Sequence, residues 1–381
     1  MELLPLLVQE AKAAGFPVAG AIDLDLALQD PEARFALHLD RYDQWIEAGY
    51  AGKMEYLVRG RDRRADPRLV FPQTQSLFCV ALPYPAQTAG APSPDQGARY
   101  ARYLQGPDYH EQIAQRLEAV MQSVQAQWIK PESAPDLHWK VCVDTSAILE
   151  RTWASLAGLG WIGKNTLLIH PQLGSYLFLA EVLINQRTGQ GPQPLPSFCG
   201  NCTRCLGACP TQALIEPGTL DSNHCIAYWT LEKRGALEIT EDKKAKIKNW
   251  IAGCDLCQEA CPFNFKAGRA AEQTPQLETT AGDNATLLHH WLGLLRETQN
   301  DYRTRIKTSA LNRVKPAQFS RNLAMALTNA LPSLYSAYEI QSEPEYQEIV
   351  TLIQQRFEQE TDEIARLEWK NCAESMQKIR S

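Results

Sequence analysis

Between Cys199 and Pro210 the sequence reads CGNCTRCLGACP, a C-x2-C-x2-C-x3-C-P run. A second run, CDLCQEACP, carries Cys254, Cys257 and Cys261, and Cys225 stands alone between the two. The first spacing is that of bacterial iron–sulfur proteins, in which the fourth cysteine serves the other cluster. Three thiolates on a short turning loop reach three corners of one cube, and the cysteine three residues on points away. The second run lacks one early cysteine, which Cys225 supplies. Cys199, Cys202, Cys205 and Cys261 then hold one [4Fe–4S] cluster, and Cys209, Cys225, Cys254 and Cys257 hold a second. Zinc also binds C-x2-C pairs, but it rarely takes three cysteines at two-residue intervals with Cys-Pro closing each run. Two neighbouring clusters imply electron transfer. Cys79, Cys142 and Cys372 lie outside the runs and read as small buried hydrophobes.

The elements that must carry these thiols belong to an ordinary globular chain of 381 residues, 44% hydrophobic and 22% charged. That length allows two or three domains with real cores. Eleven cysteines and no secretory leader at MELLPLLVQEAKAAGF point to a cytoplasmic chain whose thiols stay reduced. No apolar run is long enough to span a membrane. The formal charge of −6 excludes recruitment of nucleic acid by net charge, though not by a local basic face.

Along the chain, SLFCVALPY (76–84) and WKVCVD (139–144) read as strands. Residues 108–128 and TSAILERTWASLAGLG read as helices, and TLLIHPQLGSYLFLAEVLIN (166–185) as a hairpin. The linker GQGPQPLPS leads into the cysteine runs, and from about residue 285 the pattern is helical. Gly158, Gly160 and Gly163 satisfy G-x-G-x-x-G, but they follow a helix and precede a hairpin. A dinucleotide fingerprint needs the reverse order; here the glycines serve turns and close backbone approach.

Three stretches together carry a resemblance: VDTSAILERTWASLAGLGWIGKNTLLI, CGNCTRCLGACPTQALIEPGTLDSNHCIAYWT and GCDLCQEACPFN. In that order they resemble the epoxyqueuosine reductase family, and the likeness runs from KMEYLVRG near Met54 to SALNRVKPAQFSRNLAMALTNA. The resemblance implies an α+β fold in three parts. These are a cobalamin-binding catalytic domain (1–190), a ferredoxin-like domain with two [4Fe–4S] clusters (191–275) and HEAT-like helical repeats that bind tRNA (276–381). It implies reduction of the epoxide of epoxyqueuosine at the tRNA wobble position to queuosine, with electrons passed through the clusters to cobalamin. An external donor of flavodoxin or ferredoxin type and a monomeric state complete the expectation.

The same resemblance selects site residues. Asp144 in VDTS becomes the acid that protonates the oxygen of the opening epoxide, its carboxyl buried and kept protonated. The competing structural reading makes it the N-cap of the following helix. Arg68, Ala101, Leu168, Leu179, Ser222 and Ile226 join Asp144 as cobalamin contacts. Ala101 stands where some members carry cysteine, so no thiol is expected beside cobalt. The sequence lacks D-x-H-x-x-G, so no histidine ligand from that motif is expected either. For tRNA, residues 301–325 hold six cations against Asp301 alone, and Lys233, Arg313, Lys315 and Arg321 are the expected contacts. Two other readings fit the cysteines: a cobalamin-dependent reductase of a small molecule, dehalogenase-like, and a non-catalytic electron-transfer subunit.

Overall fold

The computed structural model describes residues 2–84, 97–132, 134–265, 287–337 and 344–380. The chain divides into two compact units. The first comprises Met1–Ala86, Asp108–Ser222 and Leu256–Leu277, and the second Gln87–Pro107, Asn223–Asp255 and Glu278–Ser381.

The first unit is α+β. Its sheet has four strands in the order Val18–Asp23, Ser76–Pro83, Leu177–Ile184, Trp139–Cys142, every neighbouring pair antiparallel. All eight residues of Ser76–Pro83 are buried, as the unbroken apolar run of the sequence requires. Helices Leu3–Ala13 and Tyr109–Gln127 pack together, and the Ser123 hydroxyl donates to Glu10 Oε2 at 2.6 Å. Asp108 caps the longer helix by accepting the His110 N–H. The expected helix after Asp144 is shorter than its sequence pattern. It runs Glu150–Leu156 and buries Trp153, which stacks on Phe35 at 4.4 Å.

The expected hairpin over 166–185 is a correction. Only a single bridge, His170 to Gly174, joins its halves. Leu168–Ile169 pairs instead with Trp161–Ile162, and Leu177–Ile184 enters the central sheet. Two apolar strands flanking a Pro-x-x-Gly turn look like a hairpin, but each half found a better-matched neighbour elsewhere. The glycine triplet serves packing, as its order implied. Gly158 closes the helix at φ 85°, and Gly160 lies flat against the main chain of Ile169.

The second unit is mainly helical. Among the described residues it holds Leu287–Arg296, Gln299–Ile306, Pro316–Ala337, Pro344–Gln359 and Glu363–Arg380, with Trp250–Ala252 paired in parallel to Arg99–Tyr100. The expected consecutive domains at 1–190, 191–275 and 276–381 are not the compact units seen. The cysteine-bearing stretch is shared: 223–255 packs with the helices, and its flanks pack with the sheet. The cause is a set of side-chain hydrogen bonds to main-chain carbonyls. Asn322 Nδ2 donates to Thr230 O and Ile251 O at 2.9 and 2.8 Å, and Arg321 donates to Trp229 O and Lys233 O at 2.8 and 3.1 Å. No described helix is long and apolar enough to cross a membrane.

A Cβ at Gly160 would stand 2.4 Å from Ile169 O and 2.9 Å from its carbonyl carbon, both rigid main-chain atoms. Gly160→Ala should therefore lower thermal stability by about 1–3 kcal/mol, the usual cost of overpacking. Gly191→Ala, with nothing within 4 Å, should melt like wild type in the same scan.

Candidate active site and thiol centre

In the first unit the cysteines of the first expected set converge. Cys199, Cys202 and Cys205 lie on the loop and short helix Arg204–Ala208, and Cys261 returns from after Leu256–Glu259. Cys261 is buried with Trp161, Ile169, Phe263 and Cys199. Burial pushes the Cys205 thiol up, and the neighbouring Cys199 and Cys261 push it further; Cys261 is raised by burial and by Cys199 and Cys202. Cys261 thus lies close enough to each of the other three to interact with it. The Trp161 indole N–H donates to Cys199 Sγ at 3.5 Å, and Lys164 Nζ donates to Gly200 O and Cys202 O at 2.6 and 3.0 Å. These donors favour negative charge on the loop. Among the described residues no three His, Cys, Asp or Glu side chains converge on a single ion. A four-iron cube asks for a wider set, because each thiolate binds its own corner. The thiols fit that group. Of the second set, Cys209 and Cys257 belong to the first unit and Cys225 and Cys254 to the second. Cys209 Sγ accepts the Ala213 N–H at 3.2 Å.

Asp144 sits just beyond the edge strand Trp139–Cys142. Thr145 N–H donates to Val143 O at 2.5 Å, and Asp144 between them has φ 54°. This is a γ-turn of the rare, strained hand. The turn is held by Glu150, whose Oε1 accepts the Asp144 N–H at 2.7 Å. The side chain points to His110: Asp144 Oδ2 lies 3.1 Å from Nε2, and Asp108 Oδ1 lies 2.5 Å from Nδ1 of the same ring. The antiparallel register pairs Cys142 with Glu181. Leu177 and Leu179, which precede Glu181 on the same strand, are only partly covered.

Two expectations about Asp144 are corrected. Its side chain is 47% exposed, not buried, because the γ-turn lifts it off the sheet. Nor does it cap the helix, since the N-cap position belongs to Leu149. Two further carboxyls act on Asp144, Glu181 buried and Glu150 half-buried. Glu181 is fully buried in the central strand, and neither oxygen has a hydrogen-bond partner among the described residues. Burial, then Glu150 and Asp144, pushes it well above the carboxylate range. Glu150 is pushed up to about 8 by burial and by Asp144. Cys79 and Cys142, the cross-strand neighbours of Glu181, are buried thiols held protonated by that burial. With buried Cys372, they match the reading of the scattered cysteines.

The other expected residues fall as follows. In the first unit Arg68 is exposed and paired with Asp66 at 2.9 Å, Leu168 is core, Leu179 is half-buried, and Ser222 is buried with its N–H on Tyr50 O. In the second, Ala101 is buried with its N–H on Ala252 O, and Ile226 is buried. The basic stretch needs correcting. Arg321 is 2% exposed and bonds to main-chain carbonyls. Lys233 is buried against Glu238 at 2.7 Å, and Arg313 pairs with Glu232. Lys315 is exposed, as are Arg303 and Lys307.

Comparison with known proteins places this geometry. Residues 64–145 match the family model Epoxyqueuosine reductase QueG, DUF1730, and residues 198–264 match the 4Fe-4S double cluster binding domain. The epoxyqueuosine reductase of Gloeobacter violaceus is 38% identical over 331 residues, covering 86% of this chain and 97% of that one. The chain belongs to the epoxyqueuosine reductase family. The Pseudomonas aeruginosa member is 34% identical over 83% of this chain and 82% of its own. A crystal structure of an epoxyqueuosine reductase with an epoxyqueuosine-modified tRNA-Tyr stem loop matches with a TM-score of 0.72 at 26% identity, over 97% of this chain and 98% of that one. The Bacillus subtilis enzyme, solved with its catalytic aspartate loop swung out of the active site, matches with a TM-score of 0.71 at the same identity, over 97% and 98%.

Three groups of this family member escaped sequence reasoning: His110, Glu150 and Glu181. Glu181 left a signal, a lone acid inside the apolar run LFLAEVLI. His110 and Glu150 left none, because their role depends on where the Asp144 turn ends up.

Glu150 keeps its proton up to about pH 8 in the fold and only to about 4.5 in the unfolded chain. The folded state thus binds more protons across that window, and stability must fall as pH rises through it. Glu150→Gln keeps the acceptor for the Asp144 N–H and removes the titration. Between pH 6 and 8.5 the wild type should lose several degrees of melting temperature, and the Gln variant distinctly fewer. Equal losses would place the titrating group elsewhere.

Proposed function

We propose that this chain reduces the epoxide of epoxyqueuosine at the wobble position of tRNA to the alkene of queuosine. The observation that carries it is a family match across most of the chain, joined to eight cysteines at two-cluster spacing and an acid presented on a strained turn. The reaction needs two electrons and two protons, and the epoxide oxygen leaves as water. The clusters take Cys199, Cys202, Cys205 and Cys261, and Cys209, Cys225, Cys254 and Cys257. An external flavodoxin- or ferredoxin-type donor loads them. The protein is a cytoplasmic monomer whose C-terminal helices are HEAT-like repeats.

Cobalamin is the expected acceptor of the electrons, and the residues fit it. Leu177 and Leu179, half-covered at the start of the central strand, offer an apolar edge, and Asp144 follows the strand paired with it, which suits a flat corrin. Arg68, Leu168, Leu179 and Ser222 in the first unit, and Ala101 and Ile226 in the second, are the side chains that would hold it. When bound it supplies two-electron chemistry at carbon. Asp144 does the proton work, giving its proton to the oxygen as the carbon–oxygen bond opens. The Bacillus subtilis structure, with its catalytic aspartate loop swung out, supports placing that task on the turn around Asp144. The small-molecule reductase and electron-transfer subunit readings have no comparable observation behind them.

Arg303, Lys307 and Lys315 are the exposed cations left for tRNA, through phosphate contacts that carry no sequence reading. Reversing all three to Glu should weaken binding of substrate tRNA and flatten its salt dependence by about two to three counterions. An unchanged salt slope in filter binding would move the RNA surface elsewhere.

Asp144→Asn keeps the shape and removes the acidic proton. Iron and corrin content should stay normal, while turnover of epoxyqueuosine tRNA falls by roughly two orders of magnitude. A fully active, fully loaded Asn variant would return Asp144 to a structural role.

A further inference from the structure

The reduction consumes two protons per turnover, and Asp144 carries one. Its side chain meets another acid–base group directly, at the start of helix Tyr109–Gln127. We infer that His110 stores the proton that Asp144 delivers, and that Asp108 sets the ring's tautomer and charge. This rests on Asp144 acting as the acid.

The geometry is that of a relay fixed at one end. Asp108 is anchored as the helix N-cap, accepting the His110 backbone N–H at 3.0 Å. The same oxygen stands 2.5 Å from Nδ1. A carboxylate there makes Nδ1 the N–H, so Nε2 is the atom that exchanges a proton with Asp144 Oδ2 at 3.1 Å. Stacking holds the ring plane. His110 lies on Tyr109 at 4.0 Å and 25°, and Tyr109 lies on Phe178 at 4.2 Å and 17°.

The titratable groups that act on the ring come from three elements. Asp108 caps its own helix, Asp144 comes from the turn after Trp139–Cys142, and Glu150 begins the next helix. Arg151 and Glu181 act on Glu150 and Asp144 rather than on the ring. Burial alone would lower the imidazole's pKa. The hydrogen bonds to Asp144 and Asp108 outweigh it, and the pKa is raised. The two hydrogen bonds thus favour the protonated ring. In turnover the Nε2–H bond breaks as the proton moves to Asp144 Oδ2, and Asp144 passes a proton to the epoxide oxygen. Electrons come from the external donor of the proposed reaction. Solvent, which reaches 26% of the His110 side chain, recharges the ring between turnovers. This replaces a carboxyl kept neutral by burial with an exposed carboxylate supplied by an imidazolium.

The test combines a titration with a rate profile on cluster- and cobalamin-loaded protein. Histidine NMR, with His110→Gln to assign the resonance, should find the ring titrating above its ordinary 6.5. The high-pH fall of turnover should track the same titration. Asp108→Asn preserves cap and acceptor but removes the charge. It should move both the ring pKa and the falling limb about one pH unit lower. His110→Gln should lose about ten-fold in turnover or more, with free imidazole partly rescuing His110→Ala. If Asp108→Asn leaves ring and limb where they are, or His110→Gln turns over like wild type, the relay is wrong. Those results leave Asp144 as the acid. Only an active Asp144→Asn variant removes that reading, so the two failures are distinguishable.

Discussion

The candidate site hangs on one main-chain bond, from the Asp144 N–H to Glu150 Oε1. An aspartate at the centre of a γ-turn with positive φ costs on the order of 1–3 kcal/mol, and something must hold it there. Glu150 can do so because it opens a helix anchored by Trp153 on Phe35 and packed against the central strand. A carboxyl that accepts this bond while half-buried next to Asp144 and Glu181 is driven to keep its proton. Strain at the turn and the two acids that act on Asp144 are thus two sides of one arrangement. The strand register pairs Glu181 with Cys142 just before the loop, the helix brings Glu150 to the Asp144 N–H, and the Asp108 cap brings His110 to its side chain.

The thiol centre answers to a different constraint. Four sulfurs must approach one another without oxidising or collapsing into the core. Trp161, Ile169 and Phe263 wall in Cys261, and Lys164 ties the opposite loop through two carbonyls. The cation and the indole N–H favour the charge that thiolates and a cluster carry. Within the first unit, therefore, a greasy wall and a short basic clamp together define where iron can sit.

Legibility in the sequence followed how local each feature was. The cysteine spacing was readable because three ligands of the first expected set, Cys199, Cys202 and Cys205, sit on one short loop. Ser76–Pro83 and Tyr109–Gln127 were readable because a buried run and a helical period are local signals. Asp144 was singled out through the family resemblance, but its exposure was not legible, since the γ-turn depends on Glu150 reaching back to it. Arg321 looked like an RNA contact in a basic stretch. Its partners are main-chain carbonyls some 90 residues away, and composition cannot see them. The same long-range hydrogen bonds draw 223–255 to the helices and redraw the units. The false hairpin arose because two apolar strands around a tight turn look alike whether or not they pair.

The central claim, that this fold removes an oxygen from a tRNA base by reduction, meets its most direct test in nucleoside mass spectrometry. Loaded protein, reductant and epoxyqueuosine tRNA would be mixed without air and the tRNA digested. The account predicts queuosine, the substrate less one oxygen atom, formed over many turnovers and only when cobalamin is present. Unchanged epoxyqueuosine, a ring-opened product that keeps the oxygen, or queuosine formed equally well without cobalamin would contradict it.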